Sequence, residues 1–118
     1  LWLAIVGCGI FIYLLKFLIA RPRPVGLTLI AEDSFSFPSG HAAIAVAFYG
    51  FIIFCLWKIL EIKWARRLIM LIGAVLILAI GFSRIYLGVH YFSDVVGGYL
   101  LGGVWLVGSI ILWNKIKK

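Results

Sequence analysis

Two histidines and one carboxylate are the residues of this chain best suited to bond-making chemistry. His41 and His90 are the two histidines, and Asp94 follows His90 four residues later. On a helix, this spacing would place His90 and Asp94 on one face. The carboxylate would then accept the Nδ1–H of His90 and leave Nε2 free to attack phosphorus. His41 belongs to another segment and would protonate the leaving group in an in-line displacement.

Cationic side chains and a helix start predict a phosphate site beside these histidines. Ser39 can cap the helix that begins there, and Gly40 allows an anion to approach the free backbone N–H groups. Arg23 and Arg84 offer planar paired donors that suit phosphate, and Lys16 supplies a further positive charge. We expect neither a metal ion nor a cofactor, because no carboxylate cluster suits Mg²⁺ and the cations can neutralise the phosphate themselves.

Each of these residues also has a purely structural interpretation when it is considered alone. Lys16 can extend toward the membrane interface, and Asp94 can simply cap a helix. A single histidine near a helix end is more often structural than catalytic. The functional interpretation depends on the occurrence of all of them together, on one side of the membrane.

The composition places these side chains in a membrane protein. The chain has 118 residues, is 65% hydrophobic and has a mean hydropathy of +1.19, with four acidic residues. Each of four apolar runs is long enough to cross the hydrocarbon layer as a helix. The runs are Leu1–Ala20, about Ala42–Leu60, about Leu68–Ile85 and about Ser93–Trp113. We therefore predict an all-α integral-membrane helical bundle that forms a single catalytic domain over residues 1–118. In the fourth helix, the small residues Gly98 and Gly102 would form a face against which a neighbouring helix can pack closely.

The distribution of charge predicts how the bundle is oriented. Seven cations lie at the end of the second run, between the second and third runs, or after the fourth: Lys58, Lys63, Arg66, Arg67, Lys115, Lys117 and Lys118. The positive-inside rule places these residues in the cytoplasm, so the polar residues described above face outward. The cations are confined to short gaps between apolar runs, which makes a nucleic-acid partner improbable. Membrane lipids are the expected surroundings, and the sequence specifies no oligomeric state.

The chemistry-bearing residues resemble the three signatures of the type 2 phosphatidic acid phosphatase superfamily. The signatures are Lys16 followed after six residues by Arg23-Pro24, then Pro38-Ser39-Gly40-His41, and then Ser83-Arg84 followed by His90 and Asp94. The resemblance implies six transmembrane helices, of which this chain would hold the last four and lack the N-terminal part. It also implies a phosphohistidine intermediate on His90. Arg21 lies outside the pattern, although the doubled Arg-Pro leaves a second register open.

By this resemblance, His90 is the nucleophile with Asp94 as its partner, and His41 is the general acid and then the base for water. The phosphate-binding residues would be Lys16, Arg23, Ser39, Gly40 and Arg84. The superfamily also contains soluble acid phosphatases and vanadium haloperoxidases, which four membrane spans argue against.

We therefore expect a metal-independent phosphatase of the bacterial cytoplasmic membrane with an extracytoplasmic site. Its substrate would be a lipid phosphate or pyrophosphate, such as phosphatidylglycerophosphate or undecaprenyl pyrophosphate. A non-hydrolytic binder or transporter of phosphate lipids is the alternative, as is a phosphotransferase with the same intermediate.

Overall fold

The computed structural model describes residues 1–26 and 28–117 as four long helices. They are α1 (Trp2–Ile19), α2 (Gly40–Ile59), α3 (Lys63–Tyr86) and α4 (Phe92–Ile116). All four are long and apolar enough to cross a membrane. The predicted all-α membrane bundle is thus confirmed, and the many large apolar side chains on its outer surface are exposed as a lipid-facing surface requires.

Two helices extend beyond the apolar runs that predicted them. Helix α3 begins at Lys63 rather than near Leu68, and α4 continues to Ile116 rather than ending at Trp113. Hydropathy marks only the part of a helix that lies in hydrocarbon. The backbone can remain helical through the headgroup region, where long basic side chains are solvated.

Helix α2 lies at the centre of the bundle and contacts each of the other three helices. Its most extensive contact is with α4, where Gly98 and Gly102 are buried. A Cβ on Gly102 would collide with the carbonyl oxygen of Ala43, and one on Gly98 with that of Ser39. The predicted packing face is therefore confirmed, and it allows two backbones to approach closely.

The connections tie four helix ends together at one end of the bundle, which we call the site end. Helix α1 stops at a left-handed Ala20, and the two following prolines cannot continue it. The N–H of Ser39 donates to the carbonyl of Asp94 at 2.9 Å, which joins the first turns of α2 and α4. These links hold residues that are distant in sequence within one polar layer.

Candidate active site

A cavity of about 450 Å³ opens at the site end between α2 and α3. Its polar wall includes the side chains of Lys16, His41 and His90. Its lower wall, farther from the helix ends, is apolar and includes Ile44 and Phe48 of α2 and Ile80 of α3. One cavity thus combines a charged region with a hydrocarbon-lined region. Such a cavity has the shape and chemistry to accept an anionic headgroup with an attached alkyl chain.

Of the three predicted cations, Lys16 lines this pocket, whereas Arg23 and Arg84 pair with Glu32, which lines it. Glu32 from the α1–α2 loop accepts a hydrogen bond from Arg23 Nη2 at 3.0 Å and a second one from Arg84 Nη2. Lys16 donates from Nζ to Ser34 Oγ at 3.2 Å. The guanidinium groups therefore point at a carboxylate, an oxyanion that offers two acceptor oxygens as phosphate does.

The charge state of Glu32 follows from these neighbours. Burial by itself would raise the pKa of Glu32, but Arg23 and Arg84 outweigh burial and hold the pKa below its ordinary value. Glu32 is thus a carboxylate at neutral pH. The site end holds an internal anion between two arginines.

Ser39 and Gly40 shape the start of α2 as the sequence predicted. Ser39 is the N-cap residue, and its Oγ accepts a hydrogen bond from the backbone N–H of Ala42 at 3.4 Å. Gly40 lines the cavity, so the first turn of α2 faces the pocket. The positive end of the helix dipole adds to the attraction for an anion.

His90 is buried and held in a strongly cationic environment. Arg23 Nη1 lies 3.4 Å from His90 Nε2 and donates to the carbonyl of Val89 at 2.8 Å. Arginine can only donate, so this contact fits an unprotonated Nε2 with the ring proton on Nδ1. Burial, and next the positive charges of Arg23 and Lys16, lower the pKa of His90 to about 4. The ring is therefore neutral at physiological pH and carries a free lone pair.

The predicted relation between His90 and Asp94 needs two corrections. Helix α4 begins at Phe92, so His90 precedes it and the two residues do not share a helix face. The Nδ1 of His90 lies 3.6 Å from Asp94 Oδ2 and has no hydrogen-bond partner among the residues that the structure describes. This separation is beyond normal hydrogen-bond range, so the expected bond is not formed in this structure.

Asp94 instead receives hydrogen bonds from other groups, and its side chain is fully buried. Oδ2 accepts from the backbone N–H of Tyr91 at 2.8 Å, as part of a capping box, and from the hydroxyl of Ser36. Oδ1 accepts from Arg21 Nη1 at 2.9 Å. The simple interpretation of Asp94 as a helix cap is thus correct, and it coexists with the position beside His90.

Sequence reasoning missed Glu32, Ser36 and Arg21. Glu32 and Ser36 lie in an irregular loop that no periodic pattern covers, and only folding brings them to the arginines and to Asp94. Arg21 lies outside the motif, whose six-residue spacing from Lys16 selects Arg23. The doubled Arg-Pro was the available signal, since residues two apart in an extended segment lie on the same side.

Fold and site together define a membrane helical bundle with a cavity at one end that is lined by two histidines and a lysine. The sequence profile of the PAP2 superfamily matches residues 1–118. The chain therefore belongs to the PAP2 superfamily, as the three motifs predicted.

Individual relatives agree with this assignment. The chain is 35% identical to phosphatidylglycerophosphatase B of Bacillus subtilis, over 85% of this chain and 60% of the relative. It is 33% identical to an undecaprenyl-diphosphatase of Sulfolobus acidocaldarius, over 74% of this chain and 41% of the relative. The chain thus spans about 60% of the first of these curated relatives and about two fifths of the second, less than two thirds of each.

A solved structure provides a comparison in three dimensions. The crystal structure of a transmembrane PAP2-type phosphatidylglycerolphosphate phosphatase from Bacillus subtilis matches with a TM-score of 0.91 and 36% identity. The match covers 98% of this chain and 58% of that chain. The arrangement of the four helices is therefore shared with a transmembrane member of the superfamily.

Proposed function

We propose that this chain forms the catalytic part of a membrane phosphatase that hydrolyses a lipid phosphate or a lipid pyrophosphate. The observation that carries the proposal is the cavity between α2 and α3. Its polar wall holds His41, His90 and Lys16, and its lower wall is apolar. Two of the relatives are named as phosphatases of lipid substrates, and this cavity has the matching amphipathic character.

The reaction requires two displacements at phosphorus. In the first, Nε2 of His90 attacks the phosphorus, and the bond from phosphorus to the lipid oxygen breaks as His41 donates a proton to that oxygen. In the second, His41 removes a proton from water, whose oxygen attacks phosphorus and breaks the bond to His90. Inorganic phosphate leaves, and both histidines return to their starting states.

The phosphate-binding residues in this proposal are Lys16, Arg23, Ser39, Gly40 and Arg84. Arginines that point at the equatorial oxygens stabilise charge as it develops in the transition state. Glu32 now occupies the space between Arg23 and Arg84. We expect the substrate phosphate to replace this carboxylate when it binds, since both anions require the same donors.

Phosphate release by purified protein in detergent tests the proposal. Phosphatidic acid, phosphatidylglycerophosphate and undecaprenyl pyrophosphate would be compared, with and without EDTA. We expect release from at least one lipid, unchanged by EDTA, and its loss in His90→Gln and His41→Gln. Arg67→Gln, an exposed charge at the other end of α3, is the matched control and should retain activity. Lipid binding without release, or full activity of His90→Gln, would contradict the proposal.

We also propose that the site end faces the extracytoplasmic side of a bacterial cytoplasmic membrane. The distribution of basic residues supports this orientation through the positive-inside rule. Val25 is 99% exposed in the α1–α2 loop, and Lys63 is exposed at the start of α3. In intact cells, an impermeant maleimide should label Val25→Cys and not Lys63→Cys. The reverse labelling would overturn the orientation while leaving the chemistry intact.

A further inference from the structure

Arg21 is the ion-pair partner of the carboxylate that lies beside the catalytic histidine. Its Nη1 donates to Asp94 Oδ1 at 2.9 Å, while Oδ2 faces His90 Nδ1 at 3.6 Å. The side chain of Asp94 is fully buried, whereas that of Arg21 is 36% exposed. A buried carboxylate without a partner is strongly destabilising, so this contact determines the charge balance around Asp94.

Several contacts hold Arg21 in this position. The same Nη1 donates to Ser93 Oγ at 2.6 Å, and the guanidinium lies 4.3 Å from the centroid of the Tyr91 ring. The backbone carbonyl of Arg21 accepts the N–H of Ser36 at 2.8 Å, and the hydroxyl of Ser36 donates to Asp94. The Arg21 residue thus reaches Asp94 both directly and through Ser36.

The charge on Asp94 matters for the protonation of His90. A carboxylate at this distance favours the imidazolium, which has no free lone pair and cannot attack phosphorus. The other charged groups around His90 are Lys16, Arg23 and Arg84, which disfavour the imidazolium. His41 and Glu32 line the same cavity.

We propose that Arg21 is a positioning residue that offsets the charge of Asp94 and so extends to lower pH the range in which the nucleophile His90 is neutral. Arg21 contacts neither the cavity nor His90 within the part of the chain that the structure describes. It acts through Asp94, whereas Arg23, two residues later, reaches His90 directly. This role rests on the proposed function, in which His90 attacks phosphorus.

The pKa of His90 provides a test that does not require turnover. In a His41→Gln background His90 is the remaining histidine, so its ring can be titrated by NMR of histidine-labelled protein in detergent. Arg21→Gln should raise the pKa of His90 by about one unit or more, because Asp94 is left unneutralised. Arg21→Lys keeps the charge and should leave the pKa of His90 within a few tenths of a unit of its value in the His41→Gln background. When Asp94→Asn is also present, Arg21→Gln should have little further effect on this pKa.

The pH profile of phosphate release gives a second readout in protein with His41 intact. Arg21→Gln should move the acid limb of the kcat/KM profile to higher pH, so the variant should retain more of the wild-type activity at alkaline pH than at acid pH. The control variant Arg67→Gln should leave the acid limb where it is in the wild type. A uniform loss of activity at every pH, with the pKa of His90 unmoved, would show that Arg21 is only structural. If Arg21→Gln does not fold, a shift of a full unit in Arg21→Lys would equally overturn the proposal.

The two proposals fail in distinguishable ways. If the wild-type chain releases no phosphate from any lipid, the proposed function fails, and the titration of His90 can still be measured. If phosphate is released normally and the titration does not respond to Arg21, only the role of Arg21 fails.

Discussion

Both ends of this bundle carry many cations, but the cations at the two ends contact different kinds of partner. At the end opposite the site, Lys58 donates to Asn114 Oδ1 at 2.8 Å, and Arg66 donates to the carbonyl of Leu60 at 2.7 Å. Arg66 and Lys117 also lie over the rings of Trp57 and Trp113. These are contacts with neutral groups in the headgroup region, where the charges remain partly solvated.

At the site end, the arginines pair with carboxylates. Within residues 1–26 and 28–117, the ion pairs between arginine and an acid all lie there: Arg21 with Asp94, and Arg23 and Arg84 with Glu32. Arg84 is 7% exposed, and its buried Nε has no hydrogen-bond partner in the described part of the chain. A buried cation with an unused donor is costly, which distinguishes Arg84 from the partly solvated cations at the opposite end.

Helix α3 carries Arg66 and Arg67 near its start and Arg84 near its end, so one substitution at each end tests this comparison. Arg84→Gln should lower kcat/KM for the lipid phosphate by roughly 100-fold or more, because in the proposed function it removes a donor to the transferred phosphate. Phosphate release at saturating and limiting lipid would measure it. A loss smaller than tenfold in a folded variant would exclude Arg84 from transition-state stabilisation.

The packing of α4 on α2 holds the site end together. Alanine substitutions at two neighbouring glycines of α4 distinguish an effect on this packing from an effect on helix propensity. A Cβ on Gly102 would meet the backbone of Ala43, whereas one on Gly103 would meet nothing within 4 Å. Gly102→Ala should therefore destabilise the bundle by about 1–3 kcal/mol. Gly103→Ala should be neutral or slightly stabilising, since alanine favours helix.

Thermal unfolding in detergent, followed by tryptophan fluorescence, would measure both variants. The Gly102 variant should melt at a lower temperature and lose activity in parallel, since the N–H of Ser39 bonds to the carbonyl of Asp94 across this contact. Equal melting temperatures for the two variants would refute the close approach of the helices.

Glu32 is the acid that distinguishes the site end most directly. In the proposed function, Glu32 competes with the substrate phosphate for Arg23 and Arg84, so Glu32→Gln should lower KM for the lipid about three- to tenfold. Inorganic phosphate should also inhibit this variant at lower concentration than the wild type. Initial rates over a range of lipid and phosphate concentrations would measure both effects, and Asp33→Asn, an exposed neighbour, is the control. A higher KM in Glu32→Gln would show that Glu32 organises the arginines instead of competing.

The smallest effect is expected at the opposite end of α3. Arg66→Gln removes a contact with the carbonyl of Leu60 and a stacking contact with Trp57. Such changes in partly solvated groups alter stability by about 0.5 kcal/mol or less, so activity should remain within about twofold of the wild type. A loss comparable to that of Arg84→Gln would erase the distinction between the two ends.

Much of this architecture could be predicted from the sequence because the relevant physics is local. A helix that crosses hydrocarbon must be long and apolar, so the hydropathy of the four runs indicated their number and approximate bounds. The bounds of α3 and α4 were less accurate, since Lys63 and Lys115 are helical but polar. The motif spacing also indicated which residues would meet, and Lys16, His41 and His90 do line one cavity.

The sequence by itself thus determined the membrane bundle, the superfamily and the set of polar residues at one end. Only the tertiary structure decided how those residues are paired. Glu32 lies between Arg23 and Arg84, Arg21 neutralises Asp94, and His90 stands 3.6 Å from that carboxylate without a hydrogen bond. These pairings join residues up to 73 positions apart. They depend on the packing of separate helices and an irregular loop, which no local sequence pattern specifies.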